Sequence, residues 1–269
     1  MAPSSGASNR GRGTVPPLSR AAIEDALRAR GAQLGLPVHV TAITTSTMDE
    51  AMAAARAGAP SGSSFVTERQ TQGRGRHGRP WHTEPGGGLA FSVLLRPDLT
   101  ASEAPSLALV AGLAVRASIA RSGVDALVKW PNDVLVGGRK IAGVLVESTL
   151  RGQRLYATVV GVGLNVSGEL VPDLRDSATT LAALGLEISR VEMLVEILME
   201  LDSRLRRLPV AGLDAVLAEL RAHDALAGKK VQVGHLRGVA VGLDPTGALL
   251  IEDPAGTLHP VHSGTVLLE

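Results

Sequence analysis

The sequence predicts an α+β protein, in which a mixed or antiparallel sheet with helices is followed by a small β-barrel. Short apolar runs of strand length and stretches of helical periodicity occur without the regular β-α-β alternation that a parallel sheet requires. After about Gly228 the character changes, and four short apolar runs, at residues 230–233, 238–241, 249–251 and 265–268, follow one another with turns at residues 244–247 and 253–256. Short strands at this spacing are typical of a small barrel of the SH3-like kind. The expected segments are a disordered tail (1–17), a larger domain (18–223) and the barrel (224–269).

The composition limits the classes of function open to the chain. With 269 residues, 45% of them hydrophobic, it can bury a substantial core. Its 27 basic and 26 acidic residues nearly cancel, so an anion-binding site must be a local feature. The absence of cysteine excludes disulfides, thiolate nucleophiles and cysteine metal sites, and it fits a cytoplasmic protein. No signal peptide is recognisable and no apolar run approaches the about 20 residues of a membrane span, so no membrane association is expected.

The first predicted element is an amphipathic helix. Its apolar spacing begins after Ser19, a candidate N-cap, and ends near Gly31. Because residues 1–36 hold only this helix, they leave no room for a helix-turn-helix DNA-binding domain. A built-in repressor module and a nucleic-acid partner are therefore not expected.

A strand at residues 38–43 and a helix at 48–56 come next. Ser46 and Thr47 lie at the turn between them. Hydroxyl side chains at such a turn commonly do no more than cap the helix. The alternative is that the turn presents hydroxyls and free backbone N–H groups to a polar ligand.

A segment rich in glycine and arginine, QTQGRGRHGRPW at residues 70–81, follows, and we call it the flap. Its glycines free the backbone to adopt positive φ, and its basic side chains suit an anionic ligand. The letters match the G-x-G-x-x-G dinucleotide fingerprint, but Pro80 and the glycines at 86–88 prevent the helix which that motif needs. We therefore interpret the segment as a flap between strands at 65–68 and 89–95.

An RNA-binding tract is the alternative interpretation of the flap. Proteins that bind RNA stack bases on aromatic side chains, and this chain has only two Phe, one Tyr and two Trp. The residues weaken this alternative without removing it.

Between the flap and the barrel, the sequence predicts three more helices and four strands. Pro131 ends the first of these strands. Gly161 and Gly163 lie within the last one and remove side chains from one wall, as happens where a ligand or another backbone comes close. The helices are expected at 102–121, 189–208 and 212–222, and the strands at 127–130, 134–136, 140–147 and 154–166.

Five short strings carry a resemblance to a known family. They are TSTMDEA, ERQTQGRGRHGRPW, KWPNDV, GGRKIAGVLVES and GVGLNV, and they occur in this order. Any single string is weak evidence for a family, but five strings in the same order, separated by ordinary secondary structure, are strong evidence. With them the chain resembles the biotin protein ligase family over roughly residues 38–269, in the monofunctional form without an N-terminal DNA-binding domain. The resemblance implies a class II synthetase-like catalytic domain followed by an SH3-like C-terminal barrel.

The resemblance implies a two-step reaction. Biotin and ATP would form biotinyl-5′-adenylate with loss of pyrophosphate, and a lysine of a biotin carboxyl carrier protein would then take the biotinyl group. Magnesium is expected on the phosphate oxygens, because the chain offers no dedicated carboxylate cage and His259 and His262 lack a third ligand. The family often pairs through sheet edges, which makes a homodimer one expected assembly.

The resemblance also assigns roles to residues. Lys140 matches the lysine that bridges the biotin carboxylate and the α-phosphate, and with Arg76 and Asp133 it is expected to be catalytic. For Asp133 three roles stay open: base, metal partner or electrostatic guide. Biotin contacts are expected from Ser46, Thr47, Met48, Gln70, Arg74, Gly75, Arg76, Lys140, Gly143 and Leu145. Adenylate contacts are expected from Arg74, Arg76, His77, Arg79, Trp81, Asn132, Lys140 and Asn165.

Two positions depart from the family pattern. Met48 stands where many members have asparagine, so a side-chain amide is missing there. His77 stands where arginine is often found, and any charge it contributes should fade as pH rises through the range in which an imidazole titrates.

Two other functions fit parts of the sequence. A lipoyl or octanoyl transferase shares this fold type, but KWPND together with GRGRHGR argues against it. A nucleic-acid-binding regulator would use the arginines of the flap, whereas bifunctional members of the family use an added N-terminal domain. The short N-terminus disfavours that function.

Overall fold

The computed structural model describes residues 16–82, 86–208 and 212–269. The disordered tail predicted over residues 1–17 lies outside the described residues, except for Pro16 and Pro17. The carbonyl oxygen of Pro16 accepts a hydrogen bond from Arg190 Nη2 at 2.8 Å. Arg190 also pairs with Glu68 at 2.6 Å, so one buried arginine attaches the start of the described chain to the larger domain.

The described residues form five α-helices, each within a few residues of a predicted one. Ser19 caps the first, since its side chain accepts from Ala22 N at 3.4 Å. The third begins later than predicted because a 3-10 turn, Ala101–Glu103, and Pro105 precede it. The helices are α1 (Arg20–Ala29), α2 (Thr47–Arg56), α3 (Ser106–Ala120), α4 (Arg190–Leu205) and α5 (Asp214–Ala222).

The larger domain contains a seven-stranded sheet, made of β1 (Gly35–Thr44), β2 (Ser63–Gln70), β3 (Gly88–Leu95), β4 (Ala126–Lys129), β5 (Asp133–Val136), β6 (Arg139–Arg151) and β7 (Arg154–Asn165). The strand order is β1-β2-β3-β7-β6-β5-β4. Strands β1 and β2 are parallel and joined by α2, and the other neighbours are antiparallel. This mixed sheet confirms the predicted fold class. The β1-α2-β2 unit corrects the expectation that the fold uses no βαβ connection.

The two faces of the sheet carry separate cores. Helix α2 packs on one face, where Met48, Ala51 and Phe65 belong to a small apolar cluster. Helices α1, α3 and α4 belong to the main core on the other face. The alternation of a strand is visible in β7, where Val159 lies in the small cluster and Val160 in the main core.

One stretch, Ala101–Ala120, is long and apolar enough to cross a membrane by length and composition alone. It was not predicted as a membrane span because Glu103 and Arg116 interrupt its apolar run. In the fold, 61% of the most apolar 18-residue segment of this stretch is buried, because α3 packs against α4 and the sheet. Its apolar character is therefore accounted for by the protein core.

The C-terminal residues form an antiparallel sheet of five strands, made of β8 (Lys230–Val233), β9 (Leu236–Leu243), β10 (Leu249–Glu252), β11 (Leu258–Val261) and β12 (Val266–Leu268). Four of these strands were predicted, and the sheet confirms a small C-terminal β unit. Strand β11 was not predicted, because His259 and Pro260 leave it without apolar alternation. His259 Nε2 lies 2.8 Å from Asp253 Oδ2.

The C-terminal sheet is attached to β4 and to the residue that follows it. Trp130 is 3% exposed, and its Nε1 donates to the carbonyl oxygen of Gly247 at 3.0 Å. The backbone of Val128 donates to His223 O at 2.8 Å and accepts from Ala225 N at 2.9 Å. The KWPND string therefore supports the junction between the two sheets as well as the cavity described next.

Candidate active site

A cavity of about 510 Å³ lies between the flap and strands β6 and β7. All of the ligand-site positions named from the sequence line this one cavity. Parts of two further segments, residues 169–178 and 264–268, complete the wall. No motif pointed to either segment, because their approach depends on how the chain folds back after β7 and after β11.

One end of the cavity is lined by hydroxyl and amide groups. Ser46 caps α2, with its Oγ accepting from Met48 N at 3.3 Å. Thr47 donates from its backbone N and its Oγ1 to Gln70 Oε1, at 2.9 and 3.2 Å. Thr47 Oγ1 also lies 2.8 Å from Ser92 Oγ, a fully buried hydroxyl on β3 that was not predicted as a site residue. The sequence feature that could have identified Ser92 is a serine inside an otherwise apolar strand.

The glycines of β7 form a flat wall against which two side chains pack. A Cβ at Gly163 would overlap the indole of Trp81, and one at Gly161 would overlap Sδ of Met48. Only a residue without a side chain leaves room for these contacts. The two glycines do permit a close approach, but the groups that approach are the side chains of Trp81 and Met48 instead of the ligand or backbone predicted from the sequence.

Lys140 lies on β6 with its ammonium between an acid and an aromatic ring. Its Nζ is 2.6 Å from Asp133 Oδ1 and 5.6 Å from the centroid of the Trp81 ring, which is within cation–π range. Its backbone N donates to Ser177 O at 2.8 Å, and its O accepts from Thr179 N at 2.9 Å. The loop after β7 therefore holds the Lys140 backbone in register.

Arg76 extends from the flap to the C-terminal sheet. Its Nη1 donates to the carbonyl oxygen of Gly264 at 3.3 Å, a contact between residues 188 positions apart in sequence. Burial lowers the pKa of Arg76, and the charge of Asp133 works in the opposite direction. A partly desolvated guanidinium next to a cavity is well placed to attract an anion.

Arg74 has a different environment from Arg76. Its Nε and Nη2 donate to Glu147 Oε1 and Oε2 at 3.0 and 3.1 Å, and Nη2 lies 2.7 Å from Asp49 Oδ1. Hydrogen bonds from Glu147 and then Asp49 raise the pKa of Arg74 above its ordinary value. The sequence predicted that this arginine contacts the ligand, and no motif pointed to either carboxylate.

Two asparagines on the cavity wall are partly engaged by the backbone. Asn132 Nδ2 donates to Val144 O at 2.7 Å, and Asn165 Nδ2 donates to Thr179 O at 3.1 Å. In both residues the Oδ1 acceptor and the second N–H of the amide are left for a ligand by these two bonds.

His77 and Arg79 lie at the exposed rim of the flap. His77 has φ 57°, in the left-handed region, and Gly78 follows it with φ 71°. Histidine adopts this region more readily than most residues with a side chain, so the substitution for arginine suits the tight turn.

Within residues 16–82, 86–208 and 212–269, no group of three His, Asp or Glu side chains is arranged to hold a metal ion. Asp133 and Glu169 are the acids among the described lining residues, and Lys140 already contacts Asp133. A divalent cation at this cavity would have to bring other ligands, as magnesium does when phosphates carry it.

The chain is similar to known proteins along most of its length. Residues 40–165 match the Biotin/lipoate A/B protein ligase family, and residues 230–268 match the Biotin protein ligase C terminal domain. The Bifunctional ligase/repressor BirA of Bacillus spizizenii is 34% identical over 235 residues, which cover 84% of this chain and 72% of that protein. The Biotin--[acetyl-CoA-carboxylase] ligase of Mycobacterium tuberculosis is 33% identical over 264 residues, which cover 94% of this chain and 96% of that protein.

The fold is also found among solved structures. The biotin protein ligase from Aquifex aeolicus in complex with biotin and ATP has a TM-score of 0.75 at 30% identity, covering 86% of this chain and 98% of that one. The apo structure of the same Aquifex protein has a TM-score of 0.72 at 26% identity, with the same coverage.

Proposed function

The chain belongs to the biotin protein ligase family, and from this premise we propose that it activates biotin with ATP and transfers the biotinyl group to a carrier protein. In the first step a biotin carboxylate oxygen attacks the α-phosphorus of ATP, and the bond to pyrophosphate breaks. In the second step a carrier lysine amine attacks the carbonyl carbon of biotinyl-5′-adenylate. AMP leaves, and the amine loses a proton as the amide bond forms.

One observation carries this proposal: Arg76 of the flap and Lys140 of β6 line the same cavity, with Asp133 between them. Repulsion between a carboxylate and a polyanion is the first obstacle to adenylation. Two unit charges ~4 Å apart at an effective dielectric of ~20 interact by about 4 kcal/mol. Two cations placed at the reacting oxygens therefore decide whether the step is fast.

Lys140 is the proposed bridge between the biotin carboxylate and the α-phosphate. Asp133, 2.6 Å from its ammonium, orients it until the anionic ligands arrive. Arg76 approaches from the flap and neutralises phosphate charge. Asp133 also lies close enough to the reacting groups to guide the incoming carrier lysine by its charge.

The hydroxyl end of the cavity suits the ureido ring of biotin. Ser46 Oγ and Gln70 Oε1 already accept hydrogen bonds, so the Ser46 hydroxyl proton and the Gln70 amide remain free to donate. Thr47 holds Gln70 in this orientation. The backbone of Gly143 and Leu145, with the Met48 side chain on the glycine wall, borders the acyl chain.

The other end suits the adenylate. Trp81 lies on Gly163 and offers an aromatic face. The free Oδ1 atoms of Asn132 and Asn165 can accept from the adenine amine, and Arg79 and His77 at the rim can meet phosphate oxygens. Magnesium is proposed to arrive with ATP on its phosphates, where it would offset charge without a protein cage.

A carboxylase carrier protein is the supported partner, since relatives of this chain are named biotin--[acetyl-CoA-carboxylase] ligases. We also propose a homodimer. Among the described residues, β5 pairs with β6 as far as Gly143 and Asn132 bonds Val144, so the edge of β6 after Val144 has no neighbouring strand. Leu150 and Tyr156 beyond it are 53% and 44% exposed. A cytoplasmic location without membrane or nucleic acid, and domain limits of 18–223 and 224–269, complete the proposal.

The test is the mass of a biotin carboxyl carrier domain after incubation with the protein, biotin, ATP and magnesium, with each omitted in turn. The expected result is one added biotinyl group only in the complete mixture. A lipoyl or octanoyl transferase would instead modify its carrier with lipoate or an octanoyl donor and show no biotin-dependent exchange of pyrophosphate into ATP. That outcome would overturn the proposal.

A further inference from the structure

Two backbone hydrogen bonds join the two ends of the flap, and we call the residues that they connect the neck of the flap. Trp81 N donates to Gly73 O at 2.8 Å, and Gly75 N donates to Arg79 O at 2.7 Å. Residues 73–81 therefore form a loop whose two ends are joined, so contacts made beside these hydrogen bonds determine where the loop lies relative to the rest of the domain. Arg74 lies at that neck, one residue from each of the two hydrogen-bonded glycines.

Arg74 connects this loop to two different elements of the domain. Glu147, which accepts both forks of its guanidinium, lies on β6, the strand that carries Lys140. Asp49 lies in the first turn of α2, three residues after Ser46. A two-pronged contact between guanidinium and carboxylate fixes both distance and orientation. The position of the flap is thereby tied to the elements that carry the proposed biotin and phosphate contacts.

The charges at this point do not suit an anionic ligand. One guanidinium meets two carboxylates, so the cluster of Arg74, Asp49 and Glu147 carries a net negative charge. Arg74 has little attraction left for a phosphate, because both of its acidic partners are already in contact with it. Arg76 and Lys140 also line the cavity, and among the contacts of the described residues neither of them meets two carboxylates.

We propose that Arg74 is a positioning residue, a fastener that holds the flap over the cavity by bridging α2 and β6, while Arg76 and Lys140 meet the anionic ligand. The inference rests on the proposed ligase function. Its consequence is that adenylate is retained because Arg74 stays attached to Asp49 and Glu147.

Neutralising the two carboxylates separates a fastener from a direct ligand, because the two roles predict opposite signs. If Arg74 held phosphate, Glu147→Gln would release its charge and slow the loss of adenylate. If Arg74 is a fastener, the same change loosens the flap and speeds that loss. Partly exposed ion pairs contribute little each, so we expect release about fivefold faster for Glu147→Gln and about twofold faster for Asp49→Asn.

The experiment uses the full chain loaded with labelled biotin and ATP, and follows the protein-bound adenylate after excess unlabelled biotin is added. Arg74→Gln is expected to release adenylate about tenfold faster and to biotinylate lysines of a bystander protein. The exchanged pair Arg74→Glu with Glu147→Arg, built together with Asp49→Asn so that the new carboxylate at position 74 meets no second acid, should restore much of the retention, which a general loss of folding would not do. Glu50→Gln is the matched control, since its carboxylate lies on the same helix but accepts from Thr41 at 3.3 Å.

The possible results test the role of Arg74 separately from the proposed ligase function. Wild-type protein that forms no adenylate overturns both. Wild-type protein that forms adenylate, with release from Glu147→Gln slower or unchanged, overturns the fastener and leaves the ligase function standing. Faster release from both acid variants, unchanged release from Glu50→Gln and recovery in the exchanged pair support it.

Discussion

Lys140 Nζ lies 2.6 Å from Asp133 Oδ1, between the neighbouring strands β6 and β5. The two residues are unequal partners in the proposed reaction. Without Lys140, a carboxylate remains uncompensated on the cavity wall and repels the incoming phosphates. Without the charge of Asp133, the lysine loses its orientation but keeps its attraction for the ligand.

We therefore expect Lys140→Ala to slow adenylate formation by about 100-fold or more, and Asp133→Asn to slow it much less. Biotin-dependent exchange of pyrophosphate into ATP measures this step directly. Arg139→Ala, which changes the neighbouring exposed cation, serves as the control and should retain wild-type exchange. Equal losses in Lys140→Ala and Asp133→Asn would assign Asp133 a direct part in the chemistry.

The glycine wall yields a second prediction, in which two neighbouring substitutions affect different substrates. Gly163→Ala displaces the Trp81 indole and should raise KM for ATP about tenfold, while Gly161→Ala displaces Met48 and should raise KM for biotin. Steady-state kinetics with each substrate varied in turn separates the two effects. In the pair Gly163→Ala with Trp81→Ala, the loss should be no larger than in Trp81→Ala alone, because the clash is gone. Additive losses would mean that Gly163 acts through something other than Trp81.

Glycines, prolines and short motifs made much of the site predictable from the sequence. Gly161 and Gly163 predicted that another group comes close to β7, although the sequence did not show which one. Pro131 predicted the end of β4. The partners of Arg74 could not be found this way, since Glu147 is 73 positions away and neither acid belongs to a repeating pattern. The same holds for the contact of Arg76 with Gly264, which depends on how the C-terminal sheet docks.

The two tryptophans should report on different parts of the molecule. Trp130 is buried and bonded to Gly247 at the junction of the two sheets, whereas Trp81 lies on the flap. Trp130→Phe should lower the free energy of unfolding by about 1–2 kcal/mol, because the Gly247 carbonyl loses its donor. In Trp130→Phe, the remaining Trp81 fluorescence should respond strongly to biotin with ATP, whereas the fluorescence of Trp130 in Trp81→Phe should respond less, because Trp130 borders the cavity with a buried side chain. A ligand response carried by Trp130 instead would contradict the assignment of the flap as the moving part.

Asp224 gives a prediction about stability and pH at the start of the C-terminal unit. Burial raises the pKa of its carboxyl above the ordinary value of 3.8, and among the described residues its buried Oδ2 has no hydrogen-bond partner. A raised pKa means that the folded state binds the proton more tightly than the unfolded state, so stability falls as pH rises through this range. Above the pKa of the folded state, Asp224 is charged in both states, and the buried charge lowers the free energy of unfolding by its full amount. Asp224→Asn removes the charge and keeps an oxygen that can accept from Leu226 N, now at 2.8 Å.

The expected gain from Asp224→Asn is about 1 kcal/mol near neutral pH, shrinking toward zero as the pH approaches 4. Urea unfolding of both proteins across this range measures it. Asp125→Asn, a change at an exposed acid nearby, should shift stability by no more than about 0.5 kcal/mol at any pH. A gain of the same size at every pH would mean that the amide stabilises by a new hydrogen bond and that the buried charge carries no cost.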